Sequence, residues 1–264
     1  MEIRDATAVV SGASSGIGRA TAAAIAAYGG HPVLLARTES ALDDAVEVIR
    51  DRGGEATAFP VDLSDPDAVT DVAEEIRAEV GVPDIVVNNA GVGEWRAIDE
   101  TTPEQARAAI SVPYLAAFYL TRAFVDEMLA RDRGHVVNLT SAAAYVPPPG
   151  ATAYNASRWA MRGFSESLRG DFRNTNLGVT LLAAAKVDTP YFEHNPDSEE
   201  RIPGIARLFR TLSPQQVASK IVEAIRDERK RVIVPPEFRA ALVCHRLFPG
   251  LMQWLTNATG WRRN

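Results

Sequence analysis

Cysteine is nearly missing from this chain. Cys244 is the single one in 264 residues, which excludes an intrachain disulfide framework. Histidine is scarce too. His31, His135, His194 and His245 are scattered without metal-ligand spacing, so no metal site is expected. No run reaches the roughly 18 uninterrupted apolar residues of a membrane span. Met1–Val10 lacks the charged-then-apolar order of a signal peptide, and the expectation is a cytoplasmic protein. Basic residues are not in excess. Lys and Arg number 28 against 34 Asp and Glu, a net charge of -6, which argues against a nucleic-acid footprint. Low-complexity linkers are also missing, so nothing divides the chain.

Apolar material is plentiful: 46% of residues are hydrophobic and 23% charged, enough for a buried core. Short apolar runs alternate with helix-like stretches. Strands are expected at Ala6–Val10, Pro32–Leu35, Ala56–Val61, Ile85–Asn88, His135–Leu139, Val179–Ala183 and Val232–Val234. Helices are expected at Arg19–Ala27, Glu39–Arg52, Pro66–Val80, Pro103–Arg131, Tyr154–Asn174 and Pro214–Asp227. Continuous apolar strands alternating with helices imply a parallel sheet covered on both faces. The fold class is α/β, a Rossmann-type doubly wound parallel sheet of about seven strands with helices on both faces. Residues 1–235 would form the main domain, with a lid or substrate loop at about 188–213. Residues 236–264 read as a helical tail packed on the same domain. Its Leu247, Phe248, Leu251, Trp254 and Trp261 suit three roles: capping a pocket, packing on a partner subunit, or peripheral contact with a membrane surface.

Between the first strand and the first helix lies Ser11-Gly12-Ala13-Ser14-Ser15-Gly16-Ile17-Gly18. Glycines there let backbone N–H groups approach a pyrophosphate, and the helix N-terminus favours its charge. The strand, turn, helix context is the one a dinucleotide site requires. The spacing, Gly-x-x-x-Gly-x-Gly, is not the commoner dinucleotide fingerprint. It resembles the short-chain dehydrogenase/reductase family. Further matches follow in order: Asp62-Leu63 after the third strand, Asn88-Asn89-Ala90-Gly91 at the end of the fourth, Ser141 with Tyr154 thirteen residues on, and Val187-Asp188-Thr189-Pro190 after the sixth. The resemblance covers about residues 6 to 235. It implies a nicotinamide dinucleotide held by Gly12, Ser14, Ser15, Gly16, Ile17, Gly18, Asp62, Leu63, Asn88, Ala90, Gly91, Tyr154, Arg158, Val187 and Thr189.

The end of the second strand speaks to cofactor choice. Leu34-Leu35-Ala36-Arg37 places no acid where the adenosine ribose would lie. An acid there would accept bonds from a free 2′-hydroxyl and repel a 2′-phosphate. Arg37 offers that phosphate a charge-assisted fork, so NADP(H) is expected over NAD(H).

In the resembled family a tyrosine is the general acid/base and a serine hydrogen-bonds the substrate oxygen. A lysine four residues after the tyrosine holds the ribose, and an asparagine in the preceding long helix fixes a relay water. Ser141 and Tyr154 match, while Arg158 stands at the lysine position. An arginine keeps the cation, which favours an ionised phenol, and can hydrogen-bond ribose hydroxyls, but it does not readily shed a proton. Pro113 falls where the asparagine is expected, with Ser111 a nearby polar alternative. Ala184-Ala185 replaces the family's usual Pro-Gly, and Lys186 then stands near the nicotinamide position, either replacing the missing ammonium or pointing to solvent.

Ligands of such sheets bind outside the carboxyl ends of the strands. There the chain supplies Trp95, Tyr145, Val146, Pro147 to Pro149, Tyr191, Phe192 and Ile205, an apolar lining suited to a hydrophobic ketone, aldehyde or alcohol. The expected activity is Tyr-assisted, NADP(H)-dependent interconversion of such a carbonyl and its alcohol, by a homodimer that binds no nucleic acid. The altered positions leave an alternative open: a cofactor-binding protein without net redox turnover.

Overall fold

Seven short strands carry the chain back and forth through a single parallel sheet in this computed structural model, which describes residues 1–91, 93–195 and 197–263. Val92, Pro196, Asn264 and the His194 side chain fall outside that description. In chain order the elements are β1 (Thr7–Ser11), α1 (Gly16–Ala27), β2 (His31–Ala36), α2 (Glu39–Arg50), β3 (Thr57–Pro60), α3 (Pro66–Glu79) and β4 (Ile85–Asn88). Then come α4 (Pro103–Ile110), α5 (Ala116–Ala130), β5 (Gly134–Ser141), α6 (Thr152–Asp171), β6 (Leu177–Ala184) and the one-turn α7 (Tyr191–His194). The chain ends through α8 (Pro214–Arg226), β7 (Arg231–Val234), α9 (Pro236–Leu247) and α10 (Pro249–Thr259). The strand order is β3-β2-β1-β4-β5-β6-β7, the doubly wound parallel sheet expected.

Strand periodicity explains why the strands read as unbroken apolar runs. Ala8 and Val10 of β1 face one side, packing with Ile25 of α1 and Ile221 of α8. Val9 between them faces the other, with Val72 of α3 and Phe124 of α5. Both faces are therefore buried, and no polar alternation is left to see. Helix starts are written locally. Pro at the first helical position follows a capping residue at three of them: Asp65 before α3, Thr102 before α4 and Ser213 before α8. The last two close capping boxes with Gln105 and Gln216.

The single helix expected over Pro103–Arg131 is interrupted. Ser111–Leu115 forms a π-turn around buried Pro113, and Ala116 N–H reaches back five residues to Ser111 O. Proline lacks an N–H for the ordinary ladder, and a widened turn absorbs the defect. The run Pro103–Ala130 is nonetheless long and apolar enough, by composition, to cross a membrane. Its inner face (Leu120, Phe124, Met128) packs on the sheet, as in a core helix.

The tail closes back over the carboxyl end of the sheet. Phe238 of α9 is buried against Tyr145 and Ala183. Past α10, Trp261 lies against Gly150 and under the Arg201 guanidinium, 5.0 Å from it.

Candidate active site

The strand order reverses between β1 and β4, and the crevice opens there. Ser11 latches the two strand ends. Its hydroxyl donates to Val87 O at 3.1 Å and accepts from Asn89 N at 2.9 Å and Ala90 N at 3.0 Å. The Asn89 amide donates back to Ser11 O at 3.0 Å. The glycine-rich turn leaves this latch with Gly12 at φ +65° and Gly16 at φ +53°, the left-handed region that favours glycine. Gly18 packs so close that a Cβ would sit 2.1 Å from Gly12 O. Ser15, the N-cap of α1, makes no side-chain capping bond, so the positive end of the helix stays open to the crevice.

One cleft of about 840 Å³ gathers most of the expected site residues. Gly12, Ser14, Ser15, Gly16 and Ile17 line it; so do Arg37, Asp62 and Leu63, expected at the adenosine end; Ala90 and Gly91 follow from β4. Val187 and Thr189 complete the lining. Thr189 approaches so nearly that a Cβ on Gly16 would be 3.2 Å from its Cγ2. Arg37 is exposed at the groove edge and close enough to Asp62 to help hold that carboxyl below its ordinary range, behind the larger effect of bonds from the Ser64 backbone and hydroxyl. Two expected groove residues do not line it. Gly18 acts by close packing. Asn88 turns into the core, where its amide donates to Thr121 Oγ1 at 3.0 Å and Asn138 Oδ1 at 2.8 Å. It faces away because alternate residues of a strand point to opposite sides, and Asn89, passed over by the sequence reading, lines the groove instead.

Ser141 and Tyr154 line this same cleft beside Arg158. Ser141 ends β5 and accepts from Ala143 N at 3.3 Å, which caps the short turn Ala142–Ala144. Tyr154 lies in the first turn of α6, buried, with its ring 5.3 Å from Trp95. The Arg158 guanidinium sits 4.6 Å over the Tyr154 ring and against Gly91, where a Cβ would be 3.2 Å from it. The cation is thus placed between the phenol and the cofactor wall. Helix α6 is held at the right height by Thr140 Oγ1, which donates to Arg158 O at 3.0 Å, and by Asn155, which donates to Pro148 O at 2.8 Å.

The remaining altered positions resolve differently. Pro113 is buried and does not line the cleft. Ser111 is no substitute, because its hydroxyl donates to Arg107 O at 2.9 Å within its own helix. Lys186 lines the same cleft without pointing freely to solvent; its ammonium pairs with Glu199 and lies 5.5 Å from the Phe192 ring.

The far end of the cleft is apolar. Trp95, Val146, Pro148, Tyr191, Phe192 and Ile205 line it as expected. Tyr145, Pro147 and Pro149 do not: Tyr145 packs with Ala144, Ala183 and Phe238 under Arg162, the Pro147 carbonyl accepts from the Gln253 amide at 3.3 Å, and Pro149 packs against Gly260. Ile202 and Phe209 of the lid and Phe238 of the tail also line this end, consistent with the lid and pocket-capping roles expected of those segments, although the sequence did not single out these three side chains. The lid is docked. Ser198 Oγ accepts from Trp95 N at 3.1 Å, Tyr191 Oη donates to Gly93 O, and Arg201 holds Glu100 at 2.6 Å and 3.1 Å. Burial, with Tyr154 close by, raises the Tyr191 phenol above its ordinary range, so it remains a neutral donor. Arg201 and the Ala97 backbone hold the Glu100 carboxyl down to about 2. A larger groove of about 1430 Å³ along β7, α8 and α9 contains none of the expected catalytic or cofactor residues.

The model for short chain dehydrogenase matches residues 6–200. The chain belongs to the short-chain dehydrogenase family. Its seven-stranded parallel sheet with helices around it matches the structures of that family. The probable oxidoreductase EphD of Mycobacterium tuberculosis is 36% identical over 257 residues, 93% of this chain but 43% of EphD. The chain thus spans less than half of that relative. The fatty acyl-CoA reductase of Acinetobacter baylyi is 31% identical over 87% of this chain and 76% of its own length. A Burkholderia phymatum family member in complex with NAD superposes with TM-score 0.85 at 26% identity, covering 100% of this chain and 99% of that one. A metagenomic member in complex with NADP gives TM-score 0.73 at 31% identity, covering 89% and 98%. A nicotinamide cofactor fits the open helix end and the glycine wall described above.

Proposed function

We propose that this family member is an NADP(H)-dependent oxidoreductase that interconverts a hydrophobic ketone or aldehyde and its alcohol. The observation that carries the reading is the shared cleft, lined by Tyr154, Ser141 and Arg158 together with the glycine-rich turn and an apolar far end. The nicotinamide supplies or takes up the hydride. The Tyr154 hydroxyl gives the proton to the carbonyl oxygen, or takes it from the alcohol. Ser141 Oγ donates a hydrogen bond to the same oxygen, polarising the carbonyl. Arg158, over the Tyr154 ring, supplies the fixed cation and binds ribose hydroxyls. Arg37 meets the 2′-phosphate, which favours NADP(H). Trp95, Tyr191 and Phe192 seat an apolar substrate and exclude water. The similarity to a fatty acyl-CoA reductase supports an apolar substrate.

A screen of NADPH oxidation across hydrophobic carbonyls, beside a cofactor titration, tests this. Turnover that disappears in Tyr154→Phe supports it; turnover that persists in Tyr154→Phe removes the site assignment. One observation favours a second reading, cofactor binding without redox turnover: no side chain of Pro113 or Ser111 reaches the cleft to hold a relay water. NADPH binding with no carbonyl turned over would select it. A homodimer through the outer faces of α5 and α6 is part of the proposal. Phe118 and Trp159 stay exposed there, and Phe118 makes ring contact with Phe164. A light-scattering mass equal to one chain would refute it.

A further inference from the structure

Helices α9 and α10 have two unlike faces. Inward, Phe238 packs in the core and Thr256 lines the cleft. Outward, Val243, Leu247, Phe248, Leu251 and Trp254 are each more than half exposed. Val243 and Leu247 lie four apart on α9, and Leu251 and Trp254 three apart on α10, so each pair shares a helix face. Phe248 stands at the corner between them. Single exposed apolar residues are ordinary on a protein surface, but five along two successive short helices mark a contact surface.

The charge on this segment runs against the rest of the chain. Residues 236–264 contain Arg239, Arg246, Arg262 and Arg263 and one acid, Glu237, in a protein of net charge -6. Glu237 pairs with Arg210 at 3.6 Å, and Arg263 with Asp99 at 2.6 Å. Arg239, Arg246 and Arg262 are exposed and form no ion pair among the described residues. An apolar stripe beside cations matches an anionic lipid interface, with apolar groups at the acyl boundary and guanidinium groups among headgroup phosphates. A second copy of the chain fits less well, because a two-fold contact would bring together two arginine-rich faces whose one acid, Glu237, already pairs with Arg210.

We propose that the outer face of α9 and α10 docks on an anionic membrane surface. The docked face lies beside the substrate entrance. Thr259 of α10 accepts from Ile205 N of the lid at 3.2 Å, and Leu208 on the same lid turn is 75% exposed. An apolar substrate held in the bilayer then reaches the cleft without crossing water. Docking itself does not rest on the redox reading.

The intact protein carries its own probe site. Cys244, the single cysteine, is exposed on α9 between Val243 and Leu247 and takes an environment-sensitive fluorophore. The labelled protein is floated with vesicles of phosphatidylcholine alone and of phosphatidylcholine with phosphatidylglycerol. The expected result is co-flotation and a blue-shifted probe with the anionic vesicles, both reduced by added salt. Leu251→Glu with Trp254→Glu lowers vesicle affinity roughly tenfold or more. Arg246→Glu with Arg262→Glu weakens binding to the anionic vesicles. These side chains are exposed, and circular dichroism melting checks that the variants fold. Wild-type protein that stays soluble with both vesicles overturns the proposal, as does unchanged vesicle affinity in the Leu251, Trp254 variant. Failure to float, with the same substitutions converting a dimer to a monomer, assigns the face to a second copy instead.

Discussion

Replacing Gly18 by alanine separates the two things a glycine does in a helix. A Cβ there would lie 2.1 Å from Gly12 O and 2.6 Å from the Asn89 amide nitrogen, whereas ordinary contacts begin at 3.4 Å. Helix α1 and the turn must therefore part by more than about 1 Å, since the nearest atom is backbone and cannot rotate away. Overpacking of this kind costs about 1–3 kcal/mol, against a helix-propensity gain of about 1 kcal/mol from alanine. The control is Gly163→Ala in α6, where a Cβ meets nothing within 4 Å. There only the propensity gain of roughly 0.5–1 kcal/mol remains. Urea denaturation and a fluorescence titration with NADPH read both effects. Gly18→Ala should lower the midpoint and weaken cofactor binding at least about tenfold, because the displaced Asn89 amide loosens the latch on Ser11. Gly163→Ala should raise the midpoint and leave binding unchanged. A Gly18→Ala protein with wild-type midpoint and affinity would refute the close-packing account of the glycine wall.

Arg37→Asp should weaken NADPH binding by about ten- to a hundredfold, the worth of a charge-assisted fork, and reverse the preference toward NADH; equal wild-type affinity for both cofactors would show that Arg37 does not read the phosphate. Arg158→Lys should hold or raise kcat/KM, since it keeps the cation and restores a transferable proton, whereas Arg158→Ala should cost about a hundredfold or more. If both variants matched wild type, the cation over Tyr154 would have no part in turnover. His135 is buried and bonded to Thr180 Oγ1 at 2.9 Å, and burial lowers it from 6.5 to about 4. Its folded-state value is depressed, so the unfolded chain binds the extra proton first as pH falls. Stability should be complete above pH 6.5 and decline by on the order of 3 kcal/mol by pH 4, a slope that His135→Gln removes in a denaturation series.

Much of this protein was written locally in its sequence. The central strands were legible because both their faces are buried, as the split of Ala8 and Val10 from Val9 shows, while the edge strands β3 and β7 are only partly covered. Pro66, Pro103 and Pro214, each behind a capping residue, marked three helix starts. The glycine turn, Arg37, Asp62, Ser141, Tyr154 and Arg158 were legible as motifs and meet in one cleft because strand ends and loops converge at the reversal of strand order. Tertiary structure alone decided the rest. Asn88 and Asn89 are equivalent in composition, and only strand orientation sent the first into the core and the second to the groove. Pro113 read as a lost polar group; the structure shows a π-turn that carries it away from the cleft. The partner of Lys186 lies thirteen residues on, in the lid, and that of Glu100 is Arg201, 101 residues away. Such long-range pairs leave no periodic trace in the chain. They depend on how the lid and tail settle over the sheet, and that settling also leaves the apolar face of α9 and α10 turned outward.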